Sequence, residues 1–149
     1  MISIVQRVTE ARVVVEGAVV GEIGVGLLVL AAVHREDGPQ DVAWTAGKLA
    51  TLRVFRSGDK HFDLDVTQVG GGILLVSNFT VAAKTRYGRR PSLDSAAAPE
   101  DGRRIFDDLV TAVRATGVPV ATGAFGADMR VSLANDGPAT FIVDSRAPA

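Results

Sequence analysis

Cysteine is absent from this chain of 149 residues, and histidine occurs only twice. Without cysteine the chain has no disulfide, no thiolate metal ligand and no thiol nucleophile. His34 and His61 lie far apart in sequence and form no metal-spaced cluster with carboxylates, so each is expected to be an ordinary surface or loop histidine. We therefore expect neither a metal nor a cofactor.

A long hydrophobic run and a strong net charge are missing as well. Arg7, Glu10 and Arg12 interrupt the apolar N-terminal segment before it reaches the length of a secretory signal or a membrane span. We expect a cytoplasmic protein without a membrane partner. The formal net charge of −1 argues against wide wrapping of nucleic acid and against DNA as a partner, because that mode needs many Lys and Arg contacts to phosphates. A small local contact with RNA remains open.

Several common catalytic and nucleotide-binding motifs are also lacking. The chain has no Gly-x-Ser-x-Gly elbow and no phosphate-binding loop with its Lys. Gly21, Gly24 and Gly26 have the wrong spacing for a dinucleotide fingerprint. Chemistry on nucleoside triphosphates or dinucleotides is therefore not expected.

The patterns that are present predict one mixed α/β domain with about seven strands and two helices. A hairpin turns at Glu16-Gly17, and the apolar run Leu27 to Val33 predicts a central strand. A helix opens at Gly38-Pro39 and ends before Arg56, and a second one starts at Pro99. The domain is expected to span residues 1–145, followed by a frayed tail over 146–149.

The last third of the chain predicts three short strands. These pieces lie between Val118 and Val143, and they are separated by Gly123 to Gly126 and by Asn135-Asp136-Gly137-Pro138. The second separator is in isolation an ordinary turn between two strands. Glycine before proline also tolerates a cis bond in a tight loop, so Gly137-Pro138 is a candidate for one.

One polar segment stands where a strand predicted to be buried ends. Ser77-Asn78-Phe79-Thr80-Val81 follows the apolar run Ile73 to Val76, and sites collect at strand ends in α/β sheets. Freed backbone N–H groups there would stabilise an oxyanion, and the Ser77 and Thr80 hydroxyls would position an ester or a water. The alternative is that these hydroxyls only satisfy the strand end.

A basic segment follows directly. Lys84-Thr85-Arg86-Tyr87-Gly88-Arg89-Arg90-Pro91-Ser92 has four cations in its first seven residues and one aromatic among them. Such a segment would hold a few RNA phosphates, with Tyr87 stacking on a base. A solvated basic loop is the equally simple alternative.

Together these segments resemble the D-aminoacyl-tRNA deacylases, in which a Ser-Gln-Phe-Thr-Leu motif pairs with an Asn-x-Gly-Pro-x-Thr motif near the C-terminus. Here the pair reads Ser77-Asn78-Phe79-Thr80-Val81 and Asn135-Asp136-Gly137-Pro138-Ala139-Thr140. The resemblance covers nearly the whole chain, because four further segments match it in order: Gln6-Arg7-Val8, Gly26 to Leu30, Gly88 to Ser92 and Gly123 to Met129.

This resemblance implies a fold with β/β/α layers and a homodimer. It implies a hydrolase that binds the 3′ end of aminoacyl-tRNA and cleaves D-aminoacyl and glycyl esters. The Gly137-Pro138 loop of one subunit, in cis, would reach into the partner's site, where its carbonyls would crowd the space of an L side chain.

The resemblance also implies individual roles. Thr80 would act as a weak nucleophile or orient the ester and water, while the Phe79 and Thr80 N–H groups stabilise the oxyanion and the terminal ribose 2′-hydroxyl assists. Phe125 and Met129 would contact the terminal adenosine, and Arg7 with Gln6 would support the site from behind. Asn78 replaces the family's longer Gln, so a hydrogen bond made by that Gln would need a shift or a water.

Two alternatives to this function stay open. A deacylase of the same fold with a shifted acyl specificity would have a trans Gly137-Pro138 bond. A non-catalytic module would bind the tRNA acceptor end, or a partner protein, without cleaving the ester, and Asn78 is the feature that favours it.

Overall fold

The fold is built around a long N-terminal strand. The computed structural model describes residues 1–148, with eight strands and two α-helices among them. The elements are β1 (Ile2–Val15), β2 (Ala18–Ile23), β3 (Gly26–Ala32), α1 (Pro39–Thr51), β4 (Phe55–Ser57), β5 (Lys60–Leu64), β6 (Gly72–Ser77), a 3-10 helix (Phe79–Ala82), α2 (Pro99–Ala115), β7 (Val120–Thr122) and β8 (Arg130–Asp144).

The hydrogen bonds of β1 set the sheet order. One edge of β1 pairs antiparallel with β3 through residues 2–8 and with β2 through residues 11–15, whereas β8 pairs with it over nearly its whole length. Strand β6 lies parallel to β3, and β7 lies parallel to β6. The β1–β2 hairpin turns at Glu16 and Gly17, both with positive φ (49° and 81°), as the Glu-Gly signal predicted.

Two apolar clusters give the layers. Helices α1 and α2 pack on one face of the sheet, over Leu27, Val29 and Leu75. The second cluster, which includes Leu28 and Leu74, consists only of residues from strands and the segment next to β8. Strand β2 packs closely against β7: a Cβ atom added to Gly21 would lie only 2.2 Å from the Thr122 carbonyl oxygen. The predicted mixed α/β fold with β/β/α layers is confirmed.

The main predicted elements are confirmed as well. Strand β3 is buried on both faces, as its continuous apolar run predicted. Helix α1 begins at Pro39, and α2 begins at Pro99 with Glu100 and Asp101 in its first turn. No helix among residues 1–148 has the length and hydropathy needed to cross a membrane.

Three details differ from the predictions. The structure has eight strands rather than about seven: a small β4–β5 hairpin between α1 and β6 adds two, and the last third has two strands, β7 and β8, instead of three. The segment Asn135 to Pro138 is not a turn between two strands: β8 continues through it, with register irregularities opposite β1 between Gln6 and Glu10. His34 is not at the surface, since only 6% of it is exposed.

The chain start is held in a buried polar cluster. The Met1 ammonium is fully buried and donates to Asp37 Oδ1 at 2.5 Å and to Ser145 Oγ at 2.8 Å. The Ser145 hydroxyl also donates to Asp41, and this hydrogen bond lowers the pKa of the Asp41 carboxyl. Arg146 belongs to the tail that was predicted to fray, and its Nη2 atom lies 3.1 Å from His34 Nε2. Ala149 lies outside the described residues, and the domain boundary at 145 stays a prediction.

Candidate active site

The first motif lies at the carboxyl edge of three parallel strands. Ser77 ends β6 opposite Ala31 of β3, and β7 ends beside them with Thr122 opposite Leu75. The Asn78 N–H donates to the Ala31 carbonyl at 2.9 Å, which fixes the point where the chain leaves the sheet and starts the 3-10 helix. The motif therefore begins at the strand end predicted from the sequence.

Free backbone donors distinguish this 3-10 helix. Its first bond runs from the Val81 N–H to the Asn78 carbonyl at 3.2 Å, so the Phe79 and Thr80 N–H groups precede the helical ladder. Within residues 1–148 neither group has a hydrogen-bond acceptor. Phe79 and Thr80 are also exposed, with 57% of Phe79 accessible. Two adjacent unpaired donors at the surface form a binding point for an oxyanion.

The Thr80 hydroxyl is oriented by Asn78. Thr80 Oγ1 donates to Asn78 Oδ1 at 2.5 Å, so the hydroxyl proton is engaged and the oxygen lone pairs remain available. Asn78 thus makes a direct contact within its own motif despite being one methylene shorter than Gln. An amide oxygen is not a base at neutral pH, so this partner does not activate the hydroxyl as a nucleophile.

Phe125 and Met129 lie on the loop after β7, at the same edge of the sheet. The loop starts with a hydrogen bond from the Gly123 N–H to the Leu75 carbonyl at 3.1 Å. The Phe125 ring packs against Phe106 of α2, and the Arg103 guanidinium lies 4.7 Å from its centroid. Met129 instead packs in the cluster formed by strands. The two side chains thus belong to different apolar clusters.

The second motif is a looped bulge within β8, closed by its own side chains. Asn135 Oδ1 accepts from the Ala139 N–H at 2.8 Å, and Asn135 Nδ2 donates to Thr140 Oγ1 at 2.8 Å. Gln6 Nε2 approaches the same hydroxyl at 3.4 Å. The Gly137-Pro138 bond is cis, as the sequence suggested, and both residues are exposed. The motif therefore presents its Gly-Pro tip to the outside on a hydrogen-bonded base.

Arg7 holds this loop from beneath. Its side chain is 4% exposed, and Nε donates to the Asp136 carbonyl at 2.8 Å while Nη1 donates to the Val54 carbonyl. The Asp136 carboxylate lies 3.5 Å from Arg7 Nε and 3.7 Å from Arg56 Nη1. The resemblance implied Arg7 as a residue behind the site, but no sequence pattern predicted the contacts with Val54, Arg56 and Asp136. No local pattern links Arg7 to Asp136, because 129 residues separate them.

The two motifs lie at different levels of the sheet. Ser77 is level with Ala31 and Ser3, whereas Gly137 lies between the β8 partners of Gln6 and Val8. No hydrogen bond or ion pair among the described residues joins one motif to the other. No group of three or more His, Asp or Glu residues at metal-binding distance occurs within residues 1–148.

Comparisons with known proteins identify the relatives of this chain. A family model described as "D-Tyr-tRNA(Tyr) deacylase" matches residues 4–144. D-aminoacyl-tRNA deacylase of Pelobacter propionicus is 54% identical over 144 residues, covering 97% of this chain and 99% of that protein. The Geobacter sulfurreducens protein of the same name is 51% identical, covering 98% and 96% of the two chains.

Solved structures share the whole fold. One described as "c-Myc DNA Unwinding Element Binding Protein" superposes with a TM-score of 0.92 at 33% identity and covers 100% of both chains. Another, described as a probable eukaryotic D-amino acid tRNA deacylase, reaches a TM-score of 0.74 at 16% identity, covering 95% of this chain and 98% of that one. At that identity the second likeness concerns the fold alone.

Proposed function

This chain belongs to the D-Tyr-tRNA(Tyr) deacylase family, and we infer from that membership that it hydrolyses the ester bond of D-aminoacyl-tRNA. The products are free tRNA and a D-amino acid. The observation that carries the assignment is that the Phe79 and Thr80 N–H groups have no acceptor within residues 1–148 and lie beside an oriented Thr80 hydroxyl. The chain that contains them is about half identical to named deacylases over nearly its full length. The enzyme is a hydrolase that acts in translation quality control.

The proposed mechanism assigns positioning roles to the protein. Water adds to the ester carbonyl, and the Phe79 and Thr80 N–H groups stabilise the resulting oxyanion. The intermediate collapses by releasing the ribose 3′-oxygen, while the neighbouring 2′-hydroxyl relays the proton from the water to that oxygen. Thr80 accepts a hydrogen bond from the substrate or the water and keeps it in line. We do not assign Thr80 as the nucleophile, because its proton is directed at the Asn78 amide oxygen.

The adenosine of the acceptor end is assigned to the loop after β7. Phe125 supplies an aromatic surface next to the motif edge, and the stacked Arg103 guanidinium holds the ring in place. Met129 would contact the base from the strand side through a flexible thioether. The reaction takes place in the cytoplasm, where tRNA is charged.

Chirality is proposed to be read across a homodimer. Each Gly137-Pro138 tip is exposed, closed at its base by Asn135 and separated from the Thr80 motif of its own protomer. Such a tip fits a role in the partner's site, where its carbonyls exclude an L side chain and leave room for D-aminoacyl and glycyl esters. Strand β8 also exposes two apolar side chains that a second copy would cover, Leu133 at 37% and Ile142 at 70%.

A non-catalytic module has no supporting observation. Asn78 was the residue that favoured such a module, and it contacts the Thr80 hydroxyl, as a working site requires. A shift toward L-aminoacyl substrates likewise has no supporting observation.

The test is hydrolysis of D-tyrosyl-tRNA, glycyl-tRNA and L-tyrosyl-tRNA by the purified protein. We expect cleavage of the D and glycyl esters and survival of the L ester. If each of the three esters is lost at the same rate with and without the protein, the hydrolase assignment is refuted. In the same preparation, sedimentation at micromolar concentration should give the mass of a dimer, and a monomer would refute the shared site.

A further inference from the structure

A closed loop follows the catalytic motif directly. The Lys84 N–H donates to the Ser92 carbonyl and the Ser92 N–H donates to the Lys84 carbonyl, both at 2.9 Å. The Ser95 hydroxyl donates to the Ala82 carbonyl of the 3-10 helix at 2.9 Å. We call residues 84–92 the basic loop. Its base is thus anchored beside the segment that contains Thr80, and its tip is exposed to solvent.

The charge of the basic loop is not balanced by neighbours. Its four cations are Lys84, Arg86, Arg89 and Arg90. All four are exposed, and none forms an ion pair with a carboxylate of residues 1–148. Asp94, the next carboxylate along the chain, accepts a hydrogen bond from the Ser92 hydroxyl at 2.8 Å. A chain with a net charge of −1 therefore concentrates uncompensated positive charge next to its catalytic motif.

An aromatic ring is exposed in the same loop. Tyr87 is 81% exposed, more than any other large apolar or aromatic side chain among the described residues. The Arg86 guanidinium carbon lies 5.6 Å from its ring centroid, so one face of the ring is paired with a cation. Exposed arginines next to an available aromatic face are the combination that proteins use to bind single-stranded RNA.

We propose that the basic loop binds the phosphates of the last nucleotides of the tRNA acceptor end, with Tyr87 stacking on one of their bases. This inference rests on the proposed function, because the ester must lie at Thr80 for the RNA to be placed. With the terminal ribose at Thr80, the preceding phosphates must lie within a few nucleotides of that point, and the basic loop is anchored to the same 3-10 helix. The basic loop begins four residues after Thr80 and has the charge that such a path requires.

The test measures binding of uncharged tRNA by fluorescence anisotropy at several salt concentrations. The variant R86A/R89A/R90A is expected to bind at least about tenfold more weakly than the wild type at low salt, with a slope of log Kd against log salt shallower by about 2. R86K/R89K/R90K should keep most of the slope, because lysine still neutralises a phosphate.

A matched control removes three exposed arginines elsewhere that form no ion pair with a described carboxylate, in the variant R12A/R53A/R114A. Its binding and slope should equal those of the wild type. If the basic-loop variant retains wild-type binding and slope, the inference is wrong, and a DNA duplex that competes as strongly as tRNA would also overturn it. Hydrolysis of D-tyrosyl-tRNA is scored separately, so failure of the deacylase assignment is distinguishable from failure of the loop.

Tyr87 has its own readout. Replacement by Ala should weaken tRNA binding by about fivefold or more, whereas replacement by Phe keeps the ring and should bind like the wild type. Because Tyr87 is almost fully exposed, neither change should alter the melting temperature. Equal binding by both variants would remove the stacking role from the proposal.

Discussion

Arg7 donates a hydrogen bond from Nε to the carbonyl oxygen of Asp136 at 2.8 Å, although the two residues lie 129 positions apart in the chain. The same guanidinium donates to the Val54 carbonyl, so one buried cation joins β1, the segment after α1 and the Gly-Pro loop. Backbone carbonyls that accept hydrogen bonds from one guanidinium group have little freedom to move. These two hydrogen bonds restrain the base of the Gly-Pro tip, and the proposed rejection of an L side chain needs a tip that keeps its position.

Replacing Arg7 by Met should therefore loosen the tip. We expect a loss of about 2–4 kcal/mol in the free energy of unfolding, because the buried Val54 carbonyl and the partly buried Asp136 carbonyl lose a charged donor. The ratio of L-tyrosyl-tRNA to D-tyrosyl-tRNA cleavage should also rise. Arg12→Met is the control, since Arg12 is exposed on the same strand, and it should stay within about 0.5 kcal/mol. Equal stability of the two variants would contradict the role of Arg7.

Gly137 is a second determinant of the tip. Its φ is +144°, and a Cβ there would lie 2.9 Å from both the Ala139 nitrogen and Arg7 Nη2. Gly137→Ala should cost about 1–3 kcal/mol and displace the carbonyls, so that cleavage of L-tyrosyl-tRNA becomes measurable. Gly24→Ala is the matched control, because nothing lies within 4 Å of its added Cβ. If Gly137→Ala still discriminates like the wild type, the carbonyls of the tip are not the selective element.

Substitutions of Thr80 distinguish a positioning role of its hydroxyl from a role as the nucleophile. Thr80→Ser keeps the hydroxyl that donates to Asn78 and should retain most of kcat, whereas Thr80→Ala should lower kcat by roughly 10²-fold through lost orientation. Rapid-quench kinetics with the wild type should show no covalent aminoacyl-protein. Trapping of such an adduct on Thr80 would mean that the hydroxyl is the nucleophile after all.

His34 predicts a pH dependence of stability. Burial, followed by the Arg146 charge, lowers its pKa from the ordinary value of 6.5. Below that value the unfolded chain binds a proton that the folded one does not, so the free energy of unfolding should fall as the pH is lowered from 7.5 to 5.5. His34→Gln should flatten this slope. An unchanged slope in His34→Gln would contradict the assignment.

The sequence predicted those elements whose signals are local. Strand β3 has a continuous apolar run, and both helices start at a proline that their first turn accommodates. The short β4–β5 hairpin has no such signal, because most of its residues are exposed and no apolar alternation marks it. It forms through pairing between its own two strands.

The contacts within the candidate site could not be predicted from the sequence. Asn135-Asp136-Gly137-Pro138 has the composition of a turn, and only the clamp by Asn135 and the distant Arg7 explains why β8 continues through it. His34 is buried because Asp37 accepts its backbone N–H at 2.7 Å and Arg146 covers its ring. Both contacts depend on the assembled fold rather than on spacing along the chain.

The most direct measurement of the central claim uses a heterodimer of a Thr80→Ala subunit and a Gly137→Ala subunit, purified through two different tags. If the tip acts across the interface, the intact Thr80 motif faces a wild-type tip. The heterodimer should then cleave D-tyrosyl-tRNA and reject L-tyrosyl-tRNA as the wild type does. If the tip acts within its own subunit, the intact motif faces the altered tip. The ratio of L-ester to D-ester cleavage by the heterodimer would then equal that of the Gly137→Ala homodimer. That result would contradict the shared site.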